Sequence, residues 1–375
     1  MVKVRNAKKE EFNEVINLIN HVFRITRNNL PTMVEEFPLL LNKNNVDNMI
    51  IIKEDERLAS TVNFLKQDIL IEGVRIKGAS IGGVCTHEDY RGKGYSSLIL
   101  DKVEEKMYED GVDVLLVSGT RSLYTRRSCS LVKSHYKYEF NKGIVSNELE
   151  LISYDENYLE KISRMYNVNS TRYERSLEEF KTLIKSATVA WGNFEYKKYI
   201  IKKEENIIGY LIIRIINREE KIGQVIENCM NPIYTSKILR NLLVELELKT
   251  IVYCVHKKDY FNLLEDYDVK KIDYQQGSLK VINFKSFMEK LRTYFDYHFK
   301  SEFLKHVKFK ENNGEYFIGF KNEEVKVKNI NDLNKLIFEG NIETLEGLEE
   351  SLEIKNFLKE VFPIPFVWTA NINYQ

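Results

Sequence analysis

The chain has 375 residues, 43% of them hydrophobic, which is enough for two or three packed domains. Its 56 lysines and arginines equal its 56 aspartates and glutamates. This balance argues against a general basic surface for nucleic acid or anionic membranes. Four scattered cysteines without a C-x-x-C pair predict neither a disulfide framework nor a zinc site.

The first residues, MVKVRNAKKEEF, lack the apolar region of a signal peptide, and no apolar run reaches the length of a membrane span. We therefore expect a cytoplasmic protein. Histidines are scattered along the chain, as at His135, His256, His298 and His306, and these four do not have the spacing of metal ligands. We therefore assign no metal site.

In chain order, the first part of the sequence predicts an amphipathic helix followed by several strands. Apolar residues at helical spacing place that helix over Lys9–Phe23. Alternating apolar residues, interrupted by polar turns, predict the strands. They cover Ile50–Lys53, Leu58–Leu65, Ile69–Ile71, Val74–Ile76, Ile81–Thr86, Val112–Val117 and a terminal strand over Ser134–Phe140.

The most informative stretch is Gly82–Tyr108, which passes from a strand through a glycine-rich turn into a helix. The turn reads Arg91-Gly92-Lys93-Gly94-Tyr95-Ser96. Glycines let backbone amides converge, and a helix N-terminus adds partial positive charge, so such a turn suits a diphosphate. A tight loop with solvated basic residues is the competing interpretation. Glu88, Asp89 and His87 beside the turn are better explained as capping or rim residues than as bases.

A strand with V-x-T, then R-G-x-G-x-S, a helix, and a second strand leading to a tyrosine-bearing helix resembles the GNAT N-acetyltransferases over about residues 1–140. The resemblance implies a strand that splays from its parallel neighbour and an acetyl-CoA site in the opening. It assigns the pantetheine arm and the diphosphate to Val84, Cys85, Thr86, Arg91, Gly92, Lys93, Gly94, Tyr95 and Ser96.

The same resemblance gives Tyr124 the role of general acid toward the departing CoA thiolate. A phenol with a pKa of about 10 can donate to a thiolate whose pKa is about 8.5 when the two are held in hydrogen-bond reach. The chain has 22 tyrosines, so position rather than residue type supports this role. The family usually has a glycine four or five residues after this tyrosine, and here Ser128 stands there.

The later sequence predicts helices over Tyr158–Tyr166, Ser176–Ser186 and Ser236–Glu247, with strands between and after them. This order resembles a second GNAT-like unit, but its turn contains Pro232 and no glycine, so no diphosphate cradle is expected. From Phe284 onward the pattern resembles the sterol carrier protein-like domain of Eis-like acetyltransferases. The expected fold is α+β (mixed α/β), with a catalytic GNAT domain (1–145), a degenerate GNAT-like domain (146–283) and a sterol carrier protein-like domain (284–375).

The function implied is acetyl transfer from acetyl-CoA to a primary amine, such as a lysine, polyamine or aminoglycoside-like acceptor. In Eis-like enzymes the C-terminal carboxylate serves as base, which here would be that of Gln375. A frayed terminus is the alternative. A non-catalytic acyl-CoA or lipid-binding protein, or a regulatory oligomer that uses the second domain as an interface, stays open as well. We expect a homo-oligomer.

Overall fold

The computed structural model describes residues 2–117, 119, 121–145, 147–186, 194–259, 269–274 and 277–373. Its helices are α1 (Phe12–Phe23), α2 (Met33–Glu36), α3 (Tyr95–Glu109), α4 (Ser122–Thr125), α5 (Leu159–Tyr166), α6 (Leu177–Ser186), α7 (Pro232–Glu245), α8 (Phe284–Lys290), α9 (Arg292–His298), α10 (Ser301–Leu304), α11 (Ile330–Glu339) and α12 (Leu352–Val361).

Its strands are β1 (Val4–Asn6), β2 (Met49–Glu54), β3 (Arg57–Ile71), β4 (Val74–Thr86), β5 (Val114–Val117), β6 (Ser130–Leu131), β7 (His135–Phe140), β8 (Glu150–Ser153), β9 (Thr171–Tyr173), β10 (Glu195–Lys203), β11 (Asn206–Asn217), β12 (Ile222–Met230), β13 (Thr250–His256), β14 (Val269–Tyr274), β15 (Ser278–Val281), β16 (Val307–Asn312), β17 (Glu315–Phe320) and β18 (Glu323–Val327). The predicted mixed α/β class is confirmed.

The first sheet has the order β1-β2-β3-β4-β5-β15-β6, and β9 pairs with the far end of β3. Helix α3 packs its buried face, including Ile99 and Val103, on one side of this sheet. On the other side, Ile76 and Leu116 share a core with the helices that follow Phe284. The sequence predicts separate strands over Leu58–Leu65 and Ile69–Ile71. They form one strand, since only polar residues and no breaker separate them.

The β4 and β5 strands are the parallel neighbours of this sheet, and their pairing is short. The register joins Gly78 to Val114, Ala79 to Leu115 and Ser80 to Leu116. β4 then continues to Thr86, while β5 ends at Val117. Within the described residues, the β4 edge from Ile81 onward has no strand partner on this side. The two strands therefore part and leave backbone groups available to a ligand.

The second sheet has the order β14-β7-β13-β12-β11-β10-β8. Its parallel pair, β12 and β13, is also short, joining Ile222 to Thr250 and Gln224 to Val252. The sequence predicts Ser134–Phe140 as the terminal strand of the first unit. The strand forms, but it pairs with β13 and β14 of the second sheet. In the first sheet, the position next to β5 that was expected for Ser134–Phe140 is taken by β15, which pairs with both β5 and β6.

The C-terminal part contains the three-stranded sheet β16-β17-β18 with α8 to α12 around it. Its interior is aromatic, and the Phe357 ring contacts the rings of both Phe295 and Phe303. The amphipathic pattern of Phe284–Phe299 predicts a single helix, but the structure divides it at Leu291 into α8 and α9. The chain then leaves this core. Ile372 and Asn373 are buried, and Ile372 packs among residues of α5, α6 and the second sheet.

Because β15 lies far along the chain from the sheet that it completes, the first sheet should not form from residues 1–145 alone. Such a fragment would expose the edge of β5 and would leave β7 without its partners. We expect no cooperative thermal unfolding and poor amide dispersion in its NMR spectrum, in contrast to the full chain under the same conditions. If the fragment unfolds cooperatively and its amide resonances are well dispersed, the first sheet does not need β15 to form.

Candidate active site

A cleft of about 990 Å³ lies where β4 parts from β5. Its walls come from the end of α1, the end of β4, the turn before α3, and α4. Ten residues predicted for the cofactor and for acid catalysis lie on these elements, and nine of them line this one cleft. The nine are Val84, Cys85, Thr86, Arg91, Gly92, Gly94, Tyr95, Ser96 and Tyr124.

The glycine turn owes its shape to two left-handed residues. Gly92 has φ +81° and Gly94 has φ +76°, with open space where each Cβ would stand. The glycines are therefore needed for backbone conformation rather than for room. Gly94 is the N-cap of α3, and its carbonyl accepts the amides of Ser97 and Leu98. The first amides of a helix have no intrahelical acceptor, so this turn presents N–H groups and the positive end of α3 to the cleft.

A chain of hydroxyl groups joins β3, β4 and α3 beside the turn. Ser60 Oγ donates to the Cys85 carbonyl at 3.0 Å and lies 2.8 Å from Thr86 Oγ1. Thr86 Oγ1 in turn lies 2.9 Å from Ser96 Oγ. These contacts fix the end of β4 against the first turn of α3, which holds the two sides of the cleft in register.

The structure differs from the prediction at Lys93, which does not line the cleft. Its Nζ lies 2.8 Å from Glu54 Oε1, and the Tyr95 hydroxyl donates to the same carboxylate at 2.6 Å. Glu54, at the end of β2, thus holds the two residues on either side of Gly94. The Lys93 side chain is engaged in this contact, and only its backbone belongs to the turn.

Neither cysteine near the cleft is suited to carry an acyl group as a thiolate. Cys85 and Cys129 are buried, and burial raises the pKa of each thiol far above its usual value, to about 12 for Cys129. A protonated thiol is a poor nucleophile. Cys85 can therefore serve the cleft through its backbone only, which favours direct transfer between two bound substrates.

Tyr124 lies on α4, opposite the glycine turn, with its ring against Gly119. A Cβ at Gly119 would come within 3.3 Å of that ring. The loop after α4 turns at Ser128, which has φ +63°. The left-handed conformation that a glycine would adopt without strain is thus held here by a serine. The loop is closed by the Cys129 amide, which donates to the Tyr124 carbonyl at 3.0 Å.

The sequence did not indicate the side of the cleft formed by α1. Val22 and Phe23 supply an apolar wall there, and Arg27 and Arg121 add two exposed guanidinium groups to that of Arg91. Three arginines around one cleft suit a ligand with several phosphate groups. Of these residues, only Arg121 could have been recognised in the sequence as part of the cleft, because it lies between β5 and Tyr124.

His21 and Glu88 form the rim of the same cleft. His21 Nε2 lies 2.9 Å from Glu88 Oε1, and this hydrogen bond lowers the pKa of the Glu88 carboxyl. The rings of His21 and His87 stack, with centroids 5.3 Å apart. His87 also accepts the Asp89 amide, as a capping residue does. The rim role expected for these residues agrees with this arrangement.

The predicted base, Gln375, lies outside the described residues. The chain before it is buried as far as Asn373, whose Oδ1 accepts from Arg175 Nε at 2.6 Å. Asn373 lines a second cavity of about 780 Å³, bordered by Leu65 and Lys77 of the first sheet. The structure therefore places the tail beside the first sheet but does not bring Asn373 into the cleft that holds Tyr124.

Comparison with known proteins now adds to this geometry. Residues 3–132 match the family model of the acetyltransferase (GNAT) domain. Over these residues the chain is similar to GNAT acetyltransferase domains. The matched residues contain the glycine turn and Tyr124, and the chain is accordingly an acyltransferase. No curated protein matches this chain in sequence.

Solved structures share the whole fold at low sequence identity. A probable N-acyltransferase from Enterococcus faecalis has a TM-score of 0.69 at 16% identity, over 98% of this chain and 97% of that one. A GCN5-related N-acetyltransferase from Anabaena variabilis has 0.62 at 13% identity, over 99% and 98%. Eis1 from Mycobacterium abscessus has 0.59 at 11% identity, over 99% and 98%. No helix in the described ranges is long and apolar enough to cross a membrane.

Replacing Ser128 with glycine should raise the free energy of unfolding by about 1 kcal/mol, because glycine adopts φ +63° without the steric cost that a Cβ carries. Urea denaturation of both proteins measures the change. Ser122→Gly, in the exposed first turn of α4, is the matched control and should be neutral or destabilising. Equal effects of the two substitutions would refute the strain at Ser128.

Proposed function

We propose that the protein transfers an acetyl group from acetyl-CoA to a primary amine by direct attack, with both substrates bound together. The observation that carries this proposal is the meeting of nine predicted residues in one cleft, at the point where β4 parts from β5 and α3 begins. A lysine side chain, a polyamine or an aminoglycoside-like molecule is the expected acceptor. The cytoplasmic location and the homo-oligomeric state stay predictions.

The residues present fit acetyl-CoA as co-substrate. The amides of the turn from Gly92 to Ser96 and the N-terminus of α3 would hold the diphosphate, with Arg91 beside them. The unpaired edge of β4 at Val84–Thr86 would hydrogen-bond the amides of the pantetheine arm. Arg27 and Arg121 add charge for the remaining phosphate.

Tyr124 is the proposed general acid. In the reaction the amine nitrogen forms a bond to the thioester carbonyl carbon, the carbon–sulfur bond breaks, and sulfur takes up a proton. The Tyr124 hydroxyl would supply that proton, since its side chain borders the cleft across from the glycine turn. Direct transfer is supported by the burial of Cys85 and Cys129, which raises the pKa of both thiols and so disfavours a thiolate that could carry the acetyl group.

The α-carboxylate of Gln375 is the proposed base that removes a proton from the acceptor ammonium. Burial of Ile372 and Asn373 supports a docked rather than a frayed tail. Two further residues can extend the chain by about 7 Å beyond Asn373. An ordinary α-carboxyl group has a pKa of about 3.3–3.7, so desolvation or a bridging water is needed for it to act as a base.

We also propose the tandem, Eis-like arrangement. In both larger sheets one strand of a short parallel pair continues beyond its parallel partner, stays paired on its other edge, and leads into a helix. These are β4 and α3 in one sheet and β12 and α7 in the other. The likeness to Eis1 over nearly the full chain agrees with it. The sterol carrier protein-like nature of the C-terminal part belongs to the same proposal.

Tyr124→Phe should lower kcat by about 10²–10⁴, because a positioned general acid contributes that much, while the Kd for acetyl-CoA stays the same. CoA release with a polyamine panel and isothermal titration measure the two quantities. Tyr108→Phe, at the exposed end of α3, is the matched control and should leave both unchanged. Unaltered turnover of the Tyr124 variant would remove this residue from the mechanism.

Three variants of the chain end test the base. Deleting Tyr374 and Gln375 should abolish turnover with acetyl-CoA affinity retained, and one glycine added after Gln375 should do nearly the same, since it moves the carboxylate by about 3.6 Å. Gln375→Ala keeps the carboxylate and should remain active. If the glycine-extended protein turns over normally, the terminal carboxylate is not the base.

A further inference from the structure

A third cavity, of about 400 Å³, lies where β12 parts from β13 in the second sheet. One wall is Asn228 on β12 and His256 on β13. The opposite wall is β9, which belongs to the first sheet, and the C-terminal tail at Phe366–Trp368 closes it. It occupies the place in the second sheet that the acetyl-CoA cleft occupies in the first.

This cavity is not built for a diphosphate. Helix α7 begins at Pro232, which has no N–H to offer, and the Asn231 side chain accepts the Ile233 amide at 3.1 Å. The helix end is therefore capped from within the chain. Whatever occupies the cavity must be held by side chains.

Four side chains that line the cavity carry a buried polar atom without a hydrogen-bond partner within the described part of the chain. They are Thr171 Oγ1, Arg172 Nε, His256 Nε2 and Trp368 Nε1. A buried polar atom left unpaired is destabilising, because it has lost its contact with water and gained no hydrogen bond in return. Four such atoms around one cavity indicate a site that is completed by a bound molecule.

The unpaired atoms are mainly donors. Arg172 and Trp368 can only donate through these nitrogens. His256 is 4% exposed, and burial lowers its pKa to about 4, so its ring is neutral. Its Nδ1 accepts the Lys258 amide at 3.1 Å, which leaves the ring proton on Nε2.

The acidic groups of the cavity do not compete for these donors. Glu227 Oε1 accepts from Arg175 and Tyr210, and Glu227 Oε2 accepts from Arg175 at 2.9 Å. In the ranges that the structure describes, the Asp259 carboxyl is not hydrogen-bonded to any of the four unpaired atoms, and burial raises the pKa of this carboxyl. Among the described residues, Arg172 has no carboxylate partner, and its Nη1 donates to the Asn169 carbonyl. A guanidinium and two ring N–H groups thus remain for a ligand that accepts hydrogen bonds.

We propose that this cavity, which we name the tail cavity, binds a compact oxyanion, a carboxylate or a phosphate, through Arg172, His256 and Trp368. Its volume lies at the lower end of the range for small-molecule sites. The ligand would fix Trp368 and hence the tail that leads to Asn373. Binding itself does not depend on the transferase activity.

The test is isothermal titration of the full chain with inorganic phosphate and, separately, with malonate at constant ionic strength. We expect saturable binding of at least one probe, and the tighter one identifies the oxyanion. Arg172→Gln should weaken it at least tenfold. Trp368→Phe, which keeps a ring but removes the N–H, should weaken it about threefold to tenfold and serves if the arginine variant does not fold. Arg164→Gln, an exposed arginine on α5, is the matched control and should bind like the wild type.

Arg91→Gln separates this cavity from the first cleft, where a phosphate can also bind. Heat that survives in Arg91→Gln and is lost in Arg172→Gln places the anion in the tail cavity. The proposal is overturned if neither probe binds saturably, because the cavity then holds water alone. It is equally overturned if Arg172→Gln and Trp368→Phe both bind like the wild type, or if all of the heat disappears in Arg91→Gln.

Discussion

The parting of β4 from β5 is the constraint on which the candidate active site depends. Parallel pairing stops at Ser80, and from there to Thr86 β4 stays paired with β3 while its edge toward β5 has no strand partner among the described residues. An unpaired strand edge inside a protein needs a partner, and a ligand with amide groups supplies one. The same parting brings the start of α3 and its glycine turn beside the opening. Strand geometry therefore sets the place that we propose for both the pantetheine arm and the diphosphate.

The second sheet repeats this parting and uses it differently. There the protein's own tail lies across the opening, with Trp368 and Asn371 among the residues that line the remaining space. Strand exchange links the two sheets, because β15 completes the first and β7 lies in the second. Buried Asp113 adds a further tie, since its carboxylate accepts from Lys290 at 2.7 Å between α8 and the first sheet. The active cleft and the tail are thus parts of one cooperative structure.

Local pattern predicted most helices and strands and nine residues of the cleft, because glycines, a strand and a helix N-terminus lie together in Gly82–Tyr108. The local pattern does not predict which strands pair when they lie far apart in the sequence. Nothing in Ser134–Phe140 distinguishes an edge of the first sheet from an inner strand of the second, since alternation specifies a face and not a partner. Likewise, Lys93 next to two glycines suggests a phosphate ligand, and only the fold brings Glu54 within reach of it. Arg27 and the tail cavity depend on elements far apart in the sequence.

The most direct measurement is a crystal structure of the full chain with CoA bound. We expect the diphosphate within hydrogen-bond distance of the amides from Gly92 to Ser96, the pantetheine arm along Val84–Thr86, and the sulfur near the Tyr124 hydroxyl. CoA bound elsewhere, or its sulfur far from Tyr124 with the β4 edge unoccupied, would contradict the assignment of this cleft.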